Sequence, residues 1–421
     1  MEKKIGSFLK SIIIVLALSL KAVFAQGEAV ILFLGLQQSP QFIGAAQVGV
    51  AVPPIDPMGF YLNPAVLGET SKEFNLTTMF MPSKTKWLGW DNLKFNTFGL
   101  SLGYNFENSL INIPLSIGVG FISGKFDFGT FAVTGPESPE PIFTTETYDK
   151  FNQFSIGATY SFYLDISAGI AFKNFESVMS GNMIKGEKII YESDGTAIDY
   201  GFLLTAPISK LFYNNLGFPI KDNFIVKPKT SLSLGYSVTN IGDEIEYSFL
   251  EDQKDPIPRT ARLGYNINLG FDLVSDEFQM NLFDYYFIVD AEDLLVKRKE
   301  ENNFETEYQS GFGDISFGKQ LIQLKGTDKV ALRKAHIFRF LGTVNFSVGR
   351  VAGRGYLSRE SDGFTVSTTG LSKYLSAHFD NEIIQFIAKH ISVEYYKTTL
   401  FSGEYETKIE GLGLILKNFS F

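Results

Sequence analysis

The chain contains no cysteine, three histidines and two tryptophans among its 421 residues. Without cysteine it can form no disulfide framework, no thiolate nucleophile and no thiol-ligated metal site. Its net charge of −9 lacks the basic excess that nucleic acid attracts, so we expect no nucleic-acid partner. No GxSxG, HExxH or P-loop pattern accompanies the histidines, which are His336, His378 and His390. The sequence therefore predicts a protein that is not an enzyme, with no catalytic residue, no cofactor and no metal site.

The chain is also poor in long apolar runs. The run at its N-terminus, Ser11–Leu20, is shorter than the roughly 20 residues that a membrane-spanning helix needs. Lys3 and Lys4 precede this run, and Val23-Phe24-Ala25 follows it as a cleavage site. We predict a signal peptide over residues 1–25 and export of the rest of the chain. A buried N-terminal helix is the alternative.

Aromatic side chains are abundant, with 41 phenylalanines and 19 tyrosines, although the mean hydropathy is only +0.05. In a transmembrane β-barrel, apolar residues that face lipid alternate with polar residues that face the lumen, so the two cancel in any average. The composition therefore favours such a barrel.

From Phe74 onward the dominant hydrophobic period is two, as in a β-strand with one apolar face. In Ser231–Thr239 and Phe154–Phe162, large apolar residues alternate with small and polar ones. Such segments reach the ~9–11 residues that a tilted membrane strand needs. The sequence therefore predicts an all-β fold, a transmembrane antiparallel β-barrel of about 14 strands over residues 73–421, with a lumen lined by small and polar residues. The predicted strands are centred near Leu76, Leu100, Ile117, Ile156, Ile170, Phe202, Leu234, Leu263, Tyr286, Phe312, Val344, Val366, Val393 and Leu414.

The links between the predicted strands alternate in length, as expected of outer-membrane barrels with long outside loops and short periplasmic turns. We expect both termini in the periplasm and the barrel in the outer membrane of a Gram-negative-type envelope. The link Ala377–His390 is longer than a turn and predicts an amphipathic helix, because Ile383, Ile384 and Ile387 share one helical face. Two other links also exceed a turn, Lys210–Pro228 and Lys319–Arg333. The long links are Lys125–Lys150, Asn174–Gly195, Asn240–Pro258, Asp290–Glu305 and Gly349–Gly363, and the short ones are Glu107–Asn112, Ser161–Asp165 and Val274–Gln279.

The last predicted strand ends in an aromatic residue, Phe421, with Phe419 on the same face. The bacterial barrel-insertion machinery typically reads a terminal aromatic of this kind, so we expect that machinery and outer-membrane lipid as partners. The alternative fold is a soluble exported β-sandwich or propeller. Such a fold needs neither a terminal phenylalanine nor phenylalanine-rich strand faces.

The stretch Gln41–Gly68 is apolar but irregular, because its four prolines remove backbone donors and fix φ. Its small residues let it lie close to a wall, and Asn63 can close a turn before Pro64. We predict that residues 26–72 form a hatch inside the lumen. This hatch is either a movable gate that lines a ligand pocket or a static plug that stabilises the barrel. The predicted hatch or ligand-lining residues are Asp56, Phe60, Tyr61, Asn63, Pro64 and Ala65.

Two features of the predicted wall carry further hypotheses. Pro114 has no backbone N–H to donate to a neighbouring strand. It can therefore kink the third strand and open a lateral gap in the wall, or it can simply begin that strand. Charges on the polar strand faces are expected to face the lumen, because an arginine on lipid costs ~2–4 kcal/mol at mid-membrane. These charges either pair to latch the hatch or are solvated in the lumen. They are Asp165, Asp199, Arg262, Asp272 and Glu394.

A series of short motifs follows along the mature chain: Asp56…Asn63-Pro64-Ala65, Trp87-Leu88 with Asp91…Phe95-Asn96, Thr196-Ala197-Ile198-Asp199-Tyr200-Gly201, Ser237-Val238-Thr239-Asn240-Ile241-Gly242 and Ile257-Pro258-Arg259-Thr260…Leu263-Gly264. Together they resemble the PorV/PorQ group within the FadL-like outer-membrane barrels. The resemblance implies a barrel of about 14 strands with an N-terminal hatch at its periplasmic end. It also implies a function, because FadL-like members move hydrophobic molecules across the outer membrane without an energy source. PorV-like members instead bind cargo proteins in type IX secretion.

We therefore expect passive transport of hydrophobic small molecules through contact with the hatch and the lumen. One alternative is a type IX secretion subunit that binds and shuttles secreted proteins, and another is a structural barrel with a plugged lumen. The expected partner is accordingly a hydrophobic small molecule or a secreted protein.

Overall fold

The structure is a computed structural model, and three predictions fall outside the residues that it describes. These are the signal peptide over residues 1–25, the Trp87-Leu88…Asp91 part of the resemblance and the terminal Phe421, and all three stay predictions. The described residues are 29–52, 56, 58–72, 76–81, 93–109, 112–135, 138–184, 187–212, 216–220, 223–247, 254–275, 278–298, 306–402 and 406–416.

Strands make up most of the described chain, as the period of two predicts, and the helical elements are short. The strands are β1 Leu76–Met81, β2 Lys94–Asn105, β3 Leu115–Gly135, β4 Ser138–Ser161, β5 Asp165–Ile184, β6 Glu187–Ala206, β7 Phe218–Pro219, β8 Ile225–Ile241, β9 Thr260–Val274, β10 Gln279–Leu294, β11 Val296–Arg298, β12 Thr306–Tyr308, β13 Val330–Phe340, β14 Val344–Gly353, β15 Tyr356–Ser367, β16 Ile391–Leu400 and β17 Thr407–Leu416. The α-helices are α1 Pro40–Gly44, α2 Val66–Thr70, α3 Ile208–Phe212, α4 Thr369–His378 and α5 Glu382–His390. Single 3-10 turns cover Leu32–Gly35 and Phe106–Asn108, and a π-helical turn covers Phe317–Ile322.

Most strands of the described chain form one closed barrel. A sheet of 15 strands, less the two-residue β7 at its edge, leaves fourteen wall strands. Successive wall strands pair antiparallel, β17 pairs back onto β1, and β6 pairs with β8. The strands β11 and β12 form a separate hairpin. The prediction of an all-β antiparallel barrel with 14 strands is confirmed.

The two ends of the barrel differ. At one end, called the turn end here, the chain reverses in short segments after β2, β4, β9 and β13. The opposite end, called the loop end, carries the hairpins β3–β4 and β5–β6, whose strands are 20 to 24 residues long. A tilted strand crosses a membrane in ~9–11 residues, so these hairpins extend beyond the membrane at the loop end.

The wall has an apolar outside and a small or polar inside. On β4, Phe154, Ile156 and Tyr160 are about half exposed, whereas Ser155 and Thr159 between them are buried. Because successive side chains of a strand point to opposite faces, the exposed set forms the outer surface of the barrel. An outward apolar surface of this kind is the lipid-facing wall of a membrane barrel.

The described residues between 29 and 72 lie inside the barrel and are called the hatch from here on. The hatch contacts wall strands on several sides, reaching β15 from Gly44, β8 from Val50 and β3 from Leu67. Its side chains Phe42 and Leu62 belong to one buried cluster with apolar side chains of the wall. The core of the molecule therefore lies in the lumen, between hatch and wall.

One predicted strand is wrong. Thirteen of the predicted centres lie in separate wall strands, but Phe312 lies in a turn whose two glycines have positive φ. The wall strand that the sequence analysis missed is β13. Its inward residues Ala335 and Ile337 are apolar because they are buried against the hatch, while Lys334 and His336 face outward. The hydrophobic alternation of β13 is therefore blurred, and its sequence does not resemble the other strands.

The predicted amphipathic helix at the turn end is confirmed as α5. Its Ile383, Phe386 and Ile387 share one exposed face. The preceding helix, α4, is not predicted by the sequence analysis. No helix in the described ranges has the length and the apolar character of a membrane span.

Candidate functional site

A row of four glycines crosses β3, β4, β5 and β6 where the wall meets the hatch. A Cβ at Gly169 would lie 2.5 Å from the backbone nitrogen of Ala65, and a Cβ at Gly157 would lie 2.5 Å from the carbonyl oxygen of Pro64. The hatch backbone thus approaches the wall at a distance that only glycine allows. At this place the small lumen residues make room for the hatch and not for water. The row, in which each member is paired with the next across the strands, is Gly118, Gly157, Gly169 and Gly201.

Asn63 fixes the hatch to the wall beside this row. Its side-chain amide donates to the carbonyl of Val50 at 2.6 Å within the hatch, and to the carbonyl of Phe202 on β6 at 3.2 Å. Its side-chain oxygen accepts a hydrogen bond from the backbone nitrogen of Ala65 at 3.1 Å. The side chain therefore closes the turn that the sequence predicts at Pro64, and it joins that turn to the barrel.

The hatch reverses at Ala46 and Gln47, which both adopt the left-handed backbone conformation, with φ of 56° and 61°. This conformation is unfavourable for residues other than glycine unless the surroundings hold it. Arg333 donates to the Ala46 carbonyl at 3.0 Å, and Arg262 donates to the Gln47 carbonyl at 2.9 Å. Both arginines pair with Glu292, and Arg333 does so through two hydrogen bonds of 3.0 and 3.1 Å. A buried ionic network on β9, β10 and β13 therefore holds the hatch turn.

Asp290 binds the next part of the hatch backbone. Its carboxylate accepts hydrogen bonds from the backbone nitrogens of Gly49 at 2.6 Å and Val50 at 3.0 Å. The sequence analysis missed both Asp290 and Glu292, because it assigned residues 290–305 to a loop. The structure places both carboxylates in β10, facing the lumen.

A fully buried ion pair joins β5 to β6. The Nζ of Lys173 lies 2.9 Å from the carboxylate of Asp199, donates to the Oδ1 of Asn240 at 2.7 Å, and lies 4.7 Å from the centre of the Tyr61 ring. Asp199 also accepts a hydrogen bond from the Asn240 backbone nitrogen at 2.7 Å. Tyr61 in turn donates to the carbonyl of Leu34 at 2.9 Å. The structure thus brings together two predicted residues, Asp199 of the wall and Tyr61 of the hatch.

The other predicted lumen charges have separate partners. Arg262 belongs to the network at the hatch turn. Asp165 pairs with the hatch residue Lys72 at 2.8 Å. Asp272 and Glu394 both line a cavity at the turn end, and Tyr396 donates a hydrogen bond to the buried Glu394. The predicted role of these charges as latches of a moving hatch stays a prediction.

Two acidic residues of the hatch have perturbed pKa values. The carboxylate of Asp56 is buried and accepts a hydrogen bond from the Met58 backbone nitrogen at 2.8 Å. Burial raises the pKa of Asp56 to about 7, although hydrogen bonds from Ser39 and Met58 oppose the shift, and nearby Glu394 adds to it. Burial also raises the pKa of Glu69 above its ordinary value. Asp56 therefore exchanges a proton close to neutral pH.

A cavity of about 870 Å³ lies above the hatch, at the loop end of the lumen. The hatch lines it with apolar side chains between Ala29 and Leu36, and its floor includes the ionic network at the hatch turn. The volume lies within the range of about 300–1,000 Å³ that is common for small-molecule sites. The cavity is therefore an apolar chamber with a charged floor. Its apolar wall residues include Phe126, Phe128, Phe131, Val178, Leu294 and Phe401.

A second cavity, of about 600 Å³, lies at the turn end. Its lining is largely polar and includes Lys72 of the hatch, Lys373 of α4, and Lys229 of β8, which pairs with Asp284 at 3.4 Å. The hatch separates this cavity from the apolar one. The lumen is therefore apolar at the loop end and polar at the turn end.

The predicted hatch residues line neither of these two cavities, because they are buried in the packing between hatch and wall. The hatch stretch that lines the apolar cavity comes earlier, at Ala29–Leu36, and the sequence analysis missed it. Its signal is present in the sequence as eight uncharged, mostly large apolar residues. The predicted hatch residues that line neither cavity are Asp56, Phe60, Tyr61, Asn63, Pro64 and Ala65.

Pro114 lies immediately before β3. Its carbonyl accepts a hydrogen bond from the backbone nitrogen of Ser161 at 2.8 Å. From Ser116 to Asp127, β3 pairs with both β2 and β4 without a register shift. In the described residues this proline directly precedes an evenly paired strand, and its role in a lateral gap stays a prediction.

The closed wall, its apolar outer surface and its hatch define the protein as a β-barrel of the outer-membrane type. No family model and no curated protein matches the sequence. Among solved structures, the chain is similar to the Ralstonia pickettii toluene transporter TbuX, with 11% identity and a TM-score of 0.38 over 90% of this chain and 98% of that chain. It is also similar to the Pseudomonas putida toluene transporter TodX, with 9% identity and a TM-score of 0.40 over 91% and 98% of the two chains. A Pseudomonas aeruginosa FadL homologue shows 8% identity and a TM-score of 0.37 over 90% and 98%. At these values the barrel assignment rests on the strand pairing, and the resemblance to the PorV/PorQ group stays a prediction.

Proposed function

We propose that this protein is a passive outer-membrane channel for hydrophobic small molecules and that the apolar cavity is its binding site. The observation that supports this function is the chamber of about 870 Å³ between the hatch stretch Ala29–Leu36 and the aromatic residues of the wall. An apolar ligand gains about 25 cal/mol for each Å² of its surface removed from water. A chamber of this size and lining therefore selects ligands by their apolar surface.

The orientation of the barrel in the membrane determines the order in which an entering ligand meets the two cavities and the hatch. The loop end faces the outside, because outer-membrane barrels carry their longer hairpins there and their short turns in the periplasm. A ligand from outside then meets the apolar cavity first. The hatch and the polar cavity lie between it and the periplasm, so direct passage requires the hatch to shift. The contacts of the hatch with Asp290 and the glycine row, and the hydrogen bond from Asn63 to Phe202, resist that shift.

Binding is tested with para-fluorotoluene, a small apolar probe followed by its fluorine NMR signal. Phe131 lines the cavity and is 46% exposed, so Phe131→Asp places a charge in the chamber with little risk to folding. The matched control is Ile142→Asp, which changes an equally exposed residue of the same hairpin outside the cavity lining. We expect Phe131→Asp to weaken binding about tenfold, which corresponds to about 1.4 kcal/mol, and the control to bind like the unaltered protein. Equal binding by all three proteins, or no binding by the unaltered one, contradicts the proposal.

Transport is tested in proteoliposomes that contain an enzyme able to consume the entering probe. We expect entry of a small hydrocarbon to be faster than in protein-free liposomes, and entry of glucose to be unchanged. A type IX secretion subunit would instead co-purify from the outer membrane with a secreted protein, and a purely structural barrel would co-purify with neither. Native mass spectrometry of the gently purified protein distinguishes these two alternatives from the channel.

A further inference from the structure

The link between β10 and β13 folds back over the outside of the barrel. On β10, Asp290 and Glu292 face the hatch, so Val289 and Ala291 point outward. Both outward residues are nevertheless fully buried, because residues from the link cover them together with Val330 of β13. We call residues 309–325 the strap. Its covering residues are Ile315, Leu321 and Leu324.

The strap is attached to the outer wall at its first turn. The hydroxyl of Tyr236 on β8 donates to the carbonyl of Gly311 at 2.9 Å, and the Phe312 ring lies 4.5 Å from the Tyr236 ring. The carboxylate of Asp293 on β10 accepts a hydrogen bond from the Asp314 backbone nitrogen at 2.6 Å. Gly311 has a φ of 67°, which suits glycine at this tight turn. The strap is therefore a fixed part of the wall surface.

The wall beneath the strap is continuous with the lipid-facing surface. Tyr236 is paired across the strands with Phe202, which points outward and is 54% exposed. On the other side of the strap, the outward residues Phe346 and Val348 of β14 are about half exposed. Around a membrane barrel, lipid surrounds outward apolar side chains of this kind, so lipid reaches the wall next to the strap.

The strap lies at the level where the apolar surface ends. On β14 the outward positions change from apolar to charged at Arg350. On β13 they change from Phe338 through His336 to Lys334, which is the direct neighbour of Arg350 across the strands. Leu332, the next outward residue on β13, is buried in the cluster that the strap covers. Charged side chains that follow an apolar band mark the headgroup boundary of a membrane.

The outer edge of the strap carries Phe312, Phe317 and Ile322, which are 50%, 55% and 69% exposed, and the exposed Lys319 lies between them in the sequence. We propose that the strap is embedded in the membrane boundary at the loop end, with these three apolar side chains among lipid acyl chains and Lys319 at the headgroups. Aromatic residues with flanking lysines are typical of segments that lie in this boundary. This inference requires that the barrel spans a membrane, and it does not depend on which ligand the barrel binds.

The absence of cysteine allows a clean test. A single cysteine is introduced as Phe317→Cys or Ile322→Cys and labelled with the dye NBD, and the protein is placed in lipid nanodiscs with or without nitroxide-bearing lipids. Phe346→Cys on the lipid-facing wall is the positive control, and Asp328→Cys, in the exposed link after the strap, is the water-exposed control. Heat-modifiable migration in gels shows that each variant has a closed barrel.

We expect nitroxide lipids to quench the labels at both strap positions about as strongly as the label of Phe346→Cys, and at least about threefold more than the label of Asp328→Cys. Quenching no stronger than at Asp328→Cys overturns the proposal. In native outer membranes, the labels could escape quenching by both nitroxide lipids and a water-soluble quencher. That result would indicate that a protein partner covers the strap, and it also overturns the proposal. Two independent strap positions keep the test valid if one variant fails to fold.

Discussion

A single methyl group in the glycine row should dislodge the hatch. In Gly169→Ala the new Cβ would lie 2.5 Å from the Ala65 nitrogen and 2.6 Å from the Pro64 oxygen, whereas ordinary contacts begin at 3.4 Å. Both neighbours are backbone atoms, so no rotamer change relieves the overlap, and the hatch has to move by about 1 Å. Overpacking of this kind costs typically 1–3 kcal/mol, and we expect about 3 kcal/mol because the obstacle is backbone.

The assay is hydrogen exchange of hatch peptides, followed by mass spectrometry in detergent. A loss of about 3 kcal/mol in local stability should speed the exchange of residues 58–72 about 100-fold. The matched control is Gly413→Ala, also on the inner wall, whose Cβ would lie 3.5 Å from its nearest neighbours, Met79 and Tyr396. If Gly169→Ala and Gly413→Ala exchange at similar rates, the hatch is not held by close contact with the glycine row.

Three further changes test the polar contacts of the hatch. Asp290→Ala leaves two buried amides without an acceptor, so we expect about 3 kcal/mol of local destabilisation and faster exchange of residues 46–52; unchanged exchange would contradict this. Lys173→Met leaves Asp199 buried and unpaired, which should lower the free energy of unfolding by about 3–5 kcal/mol, and adding Asp199→Asn should restore much of it. Asp56 has a pKa of 3.8 when unfolded and about 7 when folded, so the folded state keeps this proton up to a higher pH than the unfolded state does. The free energy of unfolding should therefore fall by up to about 4 kcal/mol as the pH rises from about 4 to 7, and level off above. Thermal unfolding of Asp56→Asn should lose this slope, and an unchanged slope would assign it to another group.

The outer wall was predictable from the sequence because lipid imposes one simple rule on every outward position. Side chains such as Phe154 and Ile156 must be apolar there, so strands that meet this rule were identified. The rule fails for β13, where Ala335 and Ile337 turn an apolar face inward to the hatch. It also fails at Phe312, whose apolar neighbours belong to the strap on the outside of the barrel.

The inside of the barrel was less predictable, because the same residue types serve two purposes there. A glycine such as Gly169 can line a water-filled lumen or admit a backbone, and its sequence position does not distinguish the two. The carboxylates Asp290 and Glu292 resemble loop residues until β13 places Arg333 beside them. Asn63 was predictable, since its turn chemistry is local, whereas its contact with Phe202 depends on the closed fold.

The most direct test of the proposed function is to locate a bound apolar molecule. Bromobenzene can be diffused into crystals of the protein, and its bromine found by anomalous scattering. The account predicts a bromine peak in the cavity of about 870 Å³, against the lining side chains Phe33 of the hatch and Phe126 and Val178 of the wall. Bromine peaks only on the lipid-facing surface, with an empty chamber above the hatch, would contradict it.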